Sequence, residues 1–156
     1  MLELTIQNQQ KEFEIPQENK LIAWAEKAML TDEDTQVTLR IVDADESQAL
    51  NKEYRSKDKP TNVLSFPMDM PDEFAQVLEL KLLGDLVICA SIVEQESEQQ
   101  KKTAEAHWAH MLTHGMLHLQ GYDHINENDA EEMEALEVKI LKQSGFDNPY
   151  QFHSDE

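Results

Sequence analysis

The segment HGMLHLQGYDH, from His114 to His124, constrains the fold more strongly than any other stretch of the chain. His114 and His118 are four residues apart, so on an α-helix both imidazoles project from the same side of successive turns. Gly121 follows three residues later, and glycine readily takes the positive φ that ends a helix in a sharp turn. The sequence therefore predicts a helix and a glycine turn that together gather three imidazoles.

Histidines in this arrangement predict a metal site. The pattern H-x-x-x-H-x-x-G-x-x-H has the spacing of the metzincin zinc signature H-E-x-x-H-x-x-G-x-x-H, with Gly115 replacing the glutamate. That glutamate is the general base of the proteases, so a peptidase lacking it would need another base. Three neutral imidazoles leave a divalent ion its full charge and an open position, which suits an anionic substrate such as a phosphodiester.

We therefore predict that His114, His118 and His124 bind one metal ion. Zinc is expected, although three imidazoles also suit nickel, copper or iron. His107 and His110 lie on the same helical arc and are interpreted as structural or as supports for the ligands. The neighbouring arc should face the core; it carries Ala104, Trp108, Met111, Leu112 and Leu119.

The charge of the chain restricts its ligands. It has 13 basic and 32 acidic side chains and a formal net charge of −19, which argues against general binding to nucleic acid or anionic membranes. A polyanion would have to bind at a local basic patch, and NKEYRSKDKPTN supplies one with Lys52, Arg55, Lys57 and Lys59. Arg55 is predicted to be functional because a guanidinium can hold phosphate in a bidentate manner. The lysines, taken singly, are typical of a solvated helix end.

Hydrophobic periodicity predicts the element order β-α-β-α-β-β-α-α-α in a single domain over residues 1–156. The expected fold is α+β, with a small mixed sheet packed against helices. PTNVLSFP, bounded by two prolines, predicts an edge strand, and GDLVICA predicts an interior strand. Asp45 is the expected cap of the second helix.

Two further features have plain structural interpretations. Cys89 is the one cysteine, so no intrachain disulfide can form, and it is expected to be a buried small hydrophobe. The acidic run ENDAEEMEALE is interpreted as the solvated face of the last helix. The core stripe of that helix is predicted to be Ala130, Met133, Leu136 and Ile140. The N-terminus does not resemble a signal peptide and no apolar stretch is long enough to span a membrane, so we expect a cytoplasmic protein.

Together, HGMLHLQGYDH, YRSKDKPTNVLSFP and LGDLVICA resemble the YbeY family of bacterial endoribonucleases and ribosomal RNA maturation factors, from about Ile41 to Tyr150. The resemblance implies a zincin-like fold and a metal-dependent hydrolase, usually described with zinc. It implies cleavage of single-stranded RNA, 3′-end maturation of 16S rRNA and late quality control of ribosomes. It places the metal ligands on His114, His118 and His124, and the catalytic arginine on Arg55.

The implied partners are the 16S rRNA precursor, the ribosome or its small subunit, and assembly proteins; neither DNA nor a membrane is expected. The high negative charge predicts weak affinity for free RNA, with specificity supplied by the ribosome. Recognition of single-stranded RNA normally uses aromatic stacking, and only three aromatic residues fall near the patch, namely Tyr54, Phe66 and Phe74.

Two alternatives stay open on the sequence. One is a metallopeptidase or another metallohydrolase. The other is a non-catalytic ribosome-assembly factor whose structural metal would have His110 or Asp123 as its fourth ligand. The general base is not identified either, since Asp85, Asp123 and a metal-bound hydroxide all qualify.

Overall fold

The structure is a computed structural model and describes residues 2–8, 13–68, 81–122 and 126–150. The described residues form four strands and five helices. The strands are β1 (Leu2–Asn8), β2 (Thr35–Val42), β3 (Val63–Pro67) and β4 (Lys81–Cys89). The helices are α1 (Glu18–Lys27), α2 (Ala44–Arg55), α3 (Ala90–Gln99), α4 (Ala104–Leu119) and α5 (Glu127–Gln143). Their order confirms the predicted order and the α+β class.

The four strands form one mixed sheet in the order β1-β2-β4-β3. β1 pairs with β2 and β2 with β4 in parallel, whereas β3 runs antiparallel to β4. β3 lies at the edge, as predicted from Pro60 and Pro67, because proline cannot donate to a ladder. β4 is interior, and its apolar run is buried on both faces of the sheet.

Helices cover both faces of the sheet. One face packs against α1 and α4, with α5 packed on α4, and the core on this side includes Leu39, Leu86 and Trp108. The opposite face packs against α2 in a smaller cluster that includes Leu64 and Val87. Cys89 belongs to this smaller cluster and is buried, which confirms its interpretation as a small hydrophobe. None of the described helices is both long and apolar enough to cross a membrane.

The central helix α4 holds the histidines in place. Eleven of its sixteen residues are buried, and it contacts β3, β4, α1, α3 and α5. The side chain of Thr103 caps its N-terminus by accepting from the backbone N–H of Ala106. The prediction that Ala104 faces the core is wrong: it is exposed because the first turn of α4 lies outside the packed layer.

The predicted glycine turn ends α4. Gly121 has φ +101°, its N–H donates to His118 O, and the N–H of Tyr122 donates to Leu117 O. This pair of bonds is a Schellman motif, in which a left-handed residue satisfies the last carbonyls of a helix. The N-terminus of α2 differs from the prediction, since Asp43 rather than Asp45 accepts the capping bond, from the N–H of Glu46.

Candidate functional site

A cleft of about 510 Å³ lies where the C-terminal half of α4 faces the edge strand β3 and the end of α2. His114 and His118 line it from α4, and Arg55 lines it from the last turn of α2. Among its described lining residues are three cations, completed by Lys57 and Lys59, and no carboxylate. The structure therefore brings the predicted basic patch and the helical histidines into one cleft, although the whole chain is strongly acidic.

The two helical histidines converge on one point. Nε2 of His114 and Nε2 of His118 lie 3.0 Å apart, and the rings are nearly perpendicular at a centroid distance of 4.6 Å. The spacing of four residues on α4 produces this approach because it places both side chains on one side of successive turns.

A buried carboxylate behind the pair orients His114. Glu137 of α5 is 0% exposed, and its Oε2 lies 2.7 Å from His114 Nδ1. Its Oε1 lies 2.9 Å from His110 Nε2 and also accepts from the hydroxyl of Tyr150. The interpretation of the whole acidic run as a solvated face is therefore wrong at Glu137, which points into the core between α4 and α5.

Glu137 is held in its ionised form. Burial opposes ionisation, but the hydrogen bonds from His110 and His114 outweigh it and bring the pKa of Glu137 down to about 2. Burial raises the pKa of the Tyr150 hydroxyl above its ordinary range, so this group stays protonated and donates. An ionised carboxylate only accepts, so Nδ1 of His114 is the donor in this contact. In the neutral imidazole the lone pair is then on Nε2, the atom that faces His118.

This donor set fits a transition metal ion. Metal-binding histidines commonly donate their second ring N–H to a carboxylate, which fixes the tautomer and raises the basicity of the ligand nitrogen. Among the described residues, no group of three or more His, Cys, Asp or Glu side chains is placed to hold a metal. His124, the predicted third ligand, lies outside those residues and stays a prediction, as do the roles of Asp123 and Phe74.

The other two helical histidines bind carboxylates. His107 Nε2 lies 2.8 Å from Glu96 Oε1, and that carboxylate also accepts from Asn62. His110 uses Nε2 for Glu137, while its Nδ1 lies 3.4 Å from Lys102 Nζ. Burial lowers the pKa of His110, which favours its neutral form. With both ring nitrogens engaged, His110 is not placed to be a fourth metal ligand, in agreement with the supporting role expected for both histidines.

The basic residues differ in position. Arg55 is exposed, and its Nη2 donates to the backbone oxygen of Ser65 on β3 at 3.4 Å. Lys52 lies in the last turn of α2 and is not among the lining residues, so the interpretation as a solvated helix end fits this lysine. Lys57 and Lys59 follow the end of α2 and line the cleft. Asp85 is exposed on β4 and is also not among them, so it is not placed to act as the base.

Packing explains why Gly115 replaces the protease glutamate. A Cβ at this position would lie 2.7 Å from Leu86 Cδ2 and 3.3 Å from Val63 Cγ2. Residue 115 therefore faces the sheet, where α4 approaches β3 and β4 closely, and a glutamate side chain has no space there. This position cannot supply a base to the cleft.

The edge strand is also poorly suited to bind a peptide. Peptide-binding proteins can extend a sheet by pairing a strand of the peptide with the edge of the sheet. Here the N–H of Val63 donates to the side chain of Asn62 at 2.6 Å, Arg55 covers the carbonyl of Ser65, and Pro67 has no N–H. These features reduce the number of free backbone donors and acceptors on the edge of β3, which disfavours pairing with another strand.

A larger cavity of about 790 Å³ lies away from the histidine pair, between the segment before α1 and the helices α3 and α4. Its described lining residues include four carboxylates and two lysines: Glu14, Glu94, Glu98, Glu105, Lys20 and Lys102. An excess of carboxylates repels phosphate, so size does not make this cavity the better candidate for an anionic substrate.

Comparison with known proteins agrees with the geometry. The family model described as endoribonuclease YbeY matches residues 5–145. The solution structure of TM1509 from Thermotoga maritima superposes with a TM-score of 0.59 at 26% sequence identity, covering 92% of this chain and 88% of that one. The match to the family model covers both the basic patch and the histidine helix.

Proposed function

The chain belongs to the YbeY endoribonuclease family, and on that premise we propose that it is a metal-dependent endoribonuclease that cuts single-stranded RNA. Its substrate is the 16S rRNA precursor, whose 3′ end it helps to mature, and it acts in late quality control of ribosomes in the cytoplasm. The observation that carries the proposal is the cleft in which a histidine pair, with His114 oriented by a buried carboxylate, meets three cations and no carboxylate among the described lining residues.

In this proposal His114, His118 and His124 hold one zinc ion. When bound, the ion supplies positive charge that polarises a phosphoryl oxygen. Glu137 keeps the lone pair of His114 on Nε2, toward the cleft. Orientation by a buried, ionised carboxylate means that this ligand needs no rearrangement of its own ring to bind the metal.

Arg55 stabilises the charge that develops on the phosphate during cleavage. Its guanidinium is tethered through one Nη2 contact to Ser65, which leaves the planar fork exposed toward the cleft for bidentate binding of phosphate. Lys57 and Lys59 bind neighbouring phosphates of the strand as point charges. The attacking oxygen is that of water or the 2′-hydroxyl of the RNA, and the general base is left unassigned.

The alternative enzyme, a peptidase, is disfavoured by the packing around Gly115 and by the blunted edge of β3. The alternative of an assembly factor with a structural metal has one observation in its favour, the net charge of −19, which suits docking onto basic ribosomal proteins. In our proposal this charge recruits the protein to the small ribosomal subunit and its assembly proteins, while the cleft performs the cleavage.

The test is cleavage of 16S rRNA precursor bound in small ribosomal subunits. We expect the zinc-loaded protein to trim the 3′ end, and the chelated protein and His114→Ala not to do so. The matched control is Lys52→Ala, which removes a cation outside the cleft lining and should cleave like the parent. Equal cleavage by His114→Ala would reject the enzyme proposal and favour the assembly factor.

A further inference from the structure

Tyr54 is exposed and directly precedes Arg55, one of the residues that line the cleft. We call the surface formed by Tyr54, Phe66 and Met68 the rim of the cleft, and we propose that Tyr54 is a stacking site for one unpaired base of the RNA. This inference rests on the proposed function and deepens it, because it assigns a residue to the recognition of single strands. The partner is a nucleobase next to a phosphate that the cleft cations hold.

The first observation is that apolar side chains are exposed at this rim. In the part of the chain that the structure describes, three large hydrophobic side chains are exposed: Leu30 at 43%, Tyr54 at 58% and Met68 at 47%. Single exposed apolar side chains are normal on protein surfaces, so exposure alone does not assign a role. Two of these three, however, lie close to the same end of β3, beside the cleft.

The position of Tyr54 follows from its neighbours. It precedes Arg55 in the last turn of α2, and its ring meets Phe66 edge to face at a centroid distance of 5.2 Å and an angle of 75°. Phe66 lies between Ser65 and Pro67, both of which line the cleft. Because side chains alternate along a strand, Phe66 points to the α2 side of the sheet, where it meets Tyr54, while its neighbours Ser65 and Pro67 point to the other side. Met68 follows the end of β3 directly.

The contact with Phe66 prepares the ring for stacking. An edge-to-face aromatic pair restrains Tyr54 without enclosing it, so more than half of its surface stays open to a ligand. A restrained ring loses little side-chain entropy when a base stacks on it. A freely rotating side chain on a loop would lose more.

The chemistry of the rim matches a single-stranded nucleic acid. Proteins bind single strands by combining cations that follow the backbone with aromatic rings that stack on successive bases. Arg55, Lys57 and Lys59 provide the first element and Tyr54 provides the second. A base inside a duplex is already stacked on both faces, so a site of this kind selects unpaired residues.

A protein partner fits this rim less well. A specific protein interface buries roughly 1,000 Å² or more, whereas this patch consists of two exposed apolar side chains beside a cationic cleft. One planar base needs only the face of one ring, and its own backbone carries the negative charge that the cleft attracts.

The first measurement is steady-state cleavage of a single-stranded oligonucleotide that spans the cleavage site. Stacking on one base predicts that Tyr54→Ala raises KM roughly 5- to 150-fold, with a smaller change in kcat. Tyr54→Phe, which keeps the aromatic face, should restore most of the affinity. Leu30→Ala, the matched loss of another exposed apolar side chain, should behave like the parent.

The second measurement identifies the base. A series of oligonucleotides, each with one abasic residue, is assayed with the parent and with Tyr54→Ala. We expect one abasic position to raise KM for the parent by the same factor as the tyrosine substitution. That position should cause no further loss in Tyr54→Ala, because the two changes remove the same contact.

Two results would overturn the inference. In one, Tyr54→Ala leaves KM unchanged for every oligonucleotide, and the rim is then reassigned to a protein partner. In the other, the increases in KM caused by the abasic residue and by Tyr54→Ala multiply, which means that the base stacks elsewhere. Arg55→Ala distinguishes a failure of the stacking proposal from a failure of the proposed nuclease function. If Arg55→Ala abolishes cleavage while Tyr54→Ala has no effect, only the stacking site is wrong.

Discussion

His114 Nδ1 lies 2.7 Å from Glu137 Oε2, and this hydrogen bond between α4 and α5 decides which nitrogen of His114 faces the cleft. The two residues are 23 positions apart in the chain. A fully buried carboxylate that also accepts from His110 and Tyr150 is rigidly held, so it fixes the ring of His114 as well as its tautomer.

This relationship predicts that Glu137→Gln weakens metal binding without unfolding the protein. The amide has nearly the same shape but no charge, and it can turn its NH₂ group toward His114. Loss of such a carboxylate typically reduces metal affinity about 10- to 100-fold. Zinc affinity should be measured by competition with a chelator, with Glu131→Gln, exposed on the same helix, as the control. Equal affinities for the two variants would show that the carboxylate does not orient a metal ligand.

A second prediction concerns the packing of α4 on the sheet. Gly115→Glu would force a charged side chain against Leu86, which is 0% exposed, and we expect it to lower the free energy of unfolding by roughly 3 kcal/mol or more. Thermal or denaturant unfolding measures this loss. A variant of unchanged stability that gained protease activity would contradict the packing argument and revive the peptidase alternative.

A third prediction uses pH to test the pair formed by Glu96 and His107. Burial opposes ionisation of Glu96, but hydrogen bonds from His107 and Asn62 outweigh it and lower its pKa below 4.5. A carboxyl whose pKa falls on folding adds stability above its unfolded pKa and loses it as pH falls through the folded pKa. Glu96→Gln should therefore be less stable than the parent at pH 7, by roughly 1–3 kcal/mol.

The difference between the parent and Glu96→Gln should shrink as pH falls below about 4.5, which unfolding measured across this range will show. Glu98→Gln, exposed on the same helix, serves as the control. Zinc content should be unchanged in both variants, because His107 and Glu96 are not placed at the histidine pair. Loss of zinc from Glu96→Gln would mean that the contact between Glu96 and His107 is coupled to the contact between Glu137 and His114.

A fourth prediction concerns the salt dependence of RNA binding. The three cations among the described lining residues of the cleft imply up to three phosphate contacts. Each contact changes the slope of log K against log salt by about −0.7 for single strands, giving a total near −2. Lys57→Ala should make the slope shallower by about 0.7, while Lys52→Ala should not change it. Fluorescence anisotropy with zinc-free protein measures both. A slope much steeper than −2 would show that RNA uses a surface other than this cleft.

Local chemistry explains which features the sequence predicts well. The edge position of β3 follows from its two prolines, and the end of α4 follows from Gly121, because both depend on backbone rules that act within a few residues. The convergence of His114 and His118 is equally local, since one helical turn determines it. The mixed pairing of the sheet was expected only in general terms, since strand partners are chosen over long distances.

The burial of Glu137 could not be predicted from the composition of its segment. It belongs to an acidic run, and charged residues in such a run usually face solvent, so its burial was missed. Helical periodicity carried the signal: Glu137 lies four residues after Met133 and three before Ile140, both of which are buried. Its partners His110 and His114 lie on another helix, and no local pattern shows that α5 places the carboxylate behind them.

The most direct test of the account is single-turnover cleavage of the 16S rRNA precursor by Arg55→Ala, with zinc content and thermal stability measured on the same samples. We expect a normally folded, zinc-loaded protein whose cleavage rate falls about 100- to 1,000-fold, because a donor to the developing charge is lost. Lys52→Ala, from the same helix turn, should cleave at the parental rate. Cleavage by Arg55→Ala at the parental rate would contradict the central claim that this cleft is the active site.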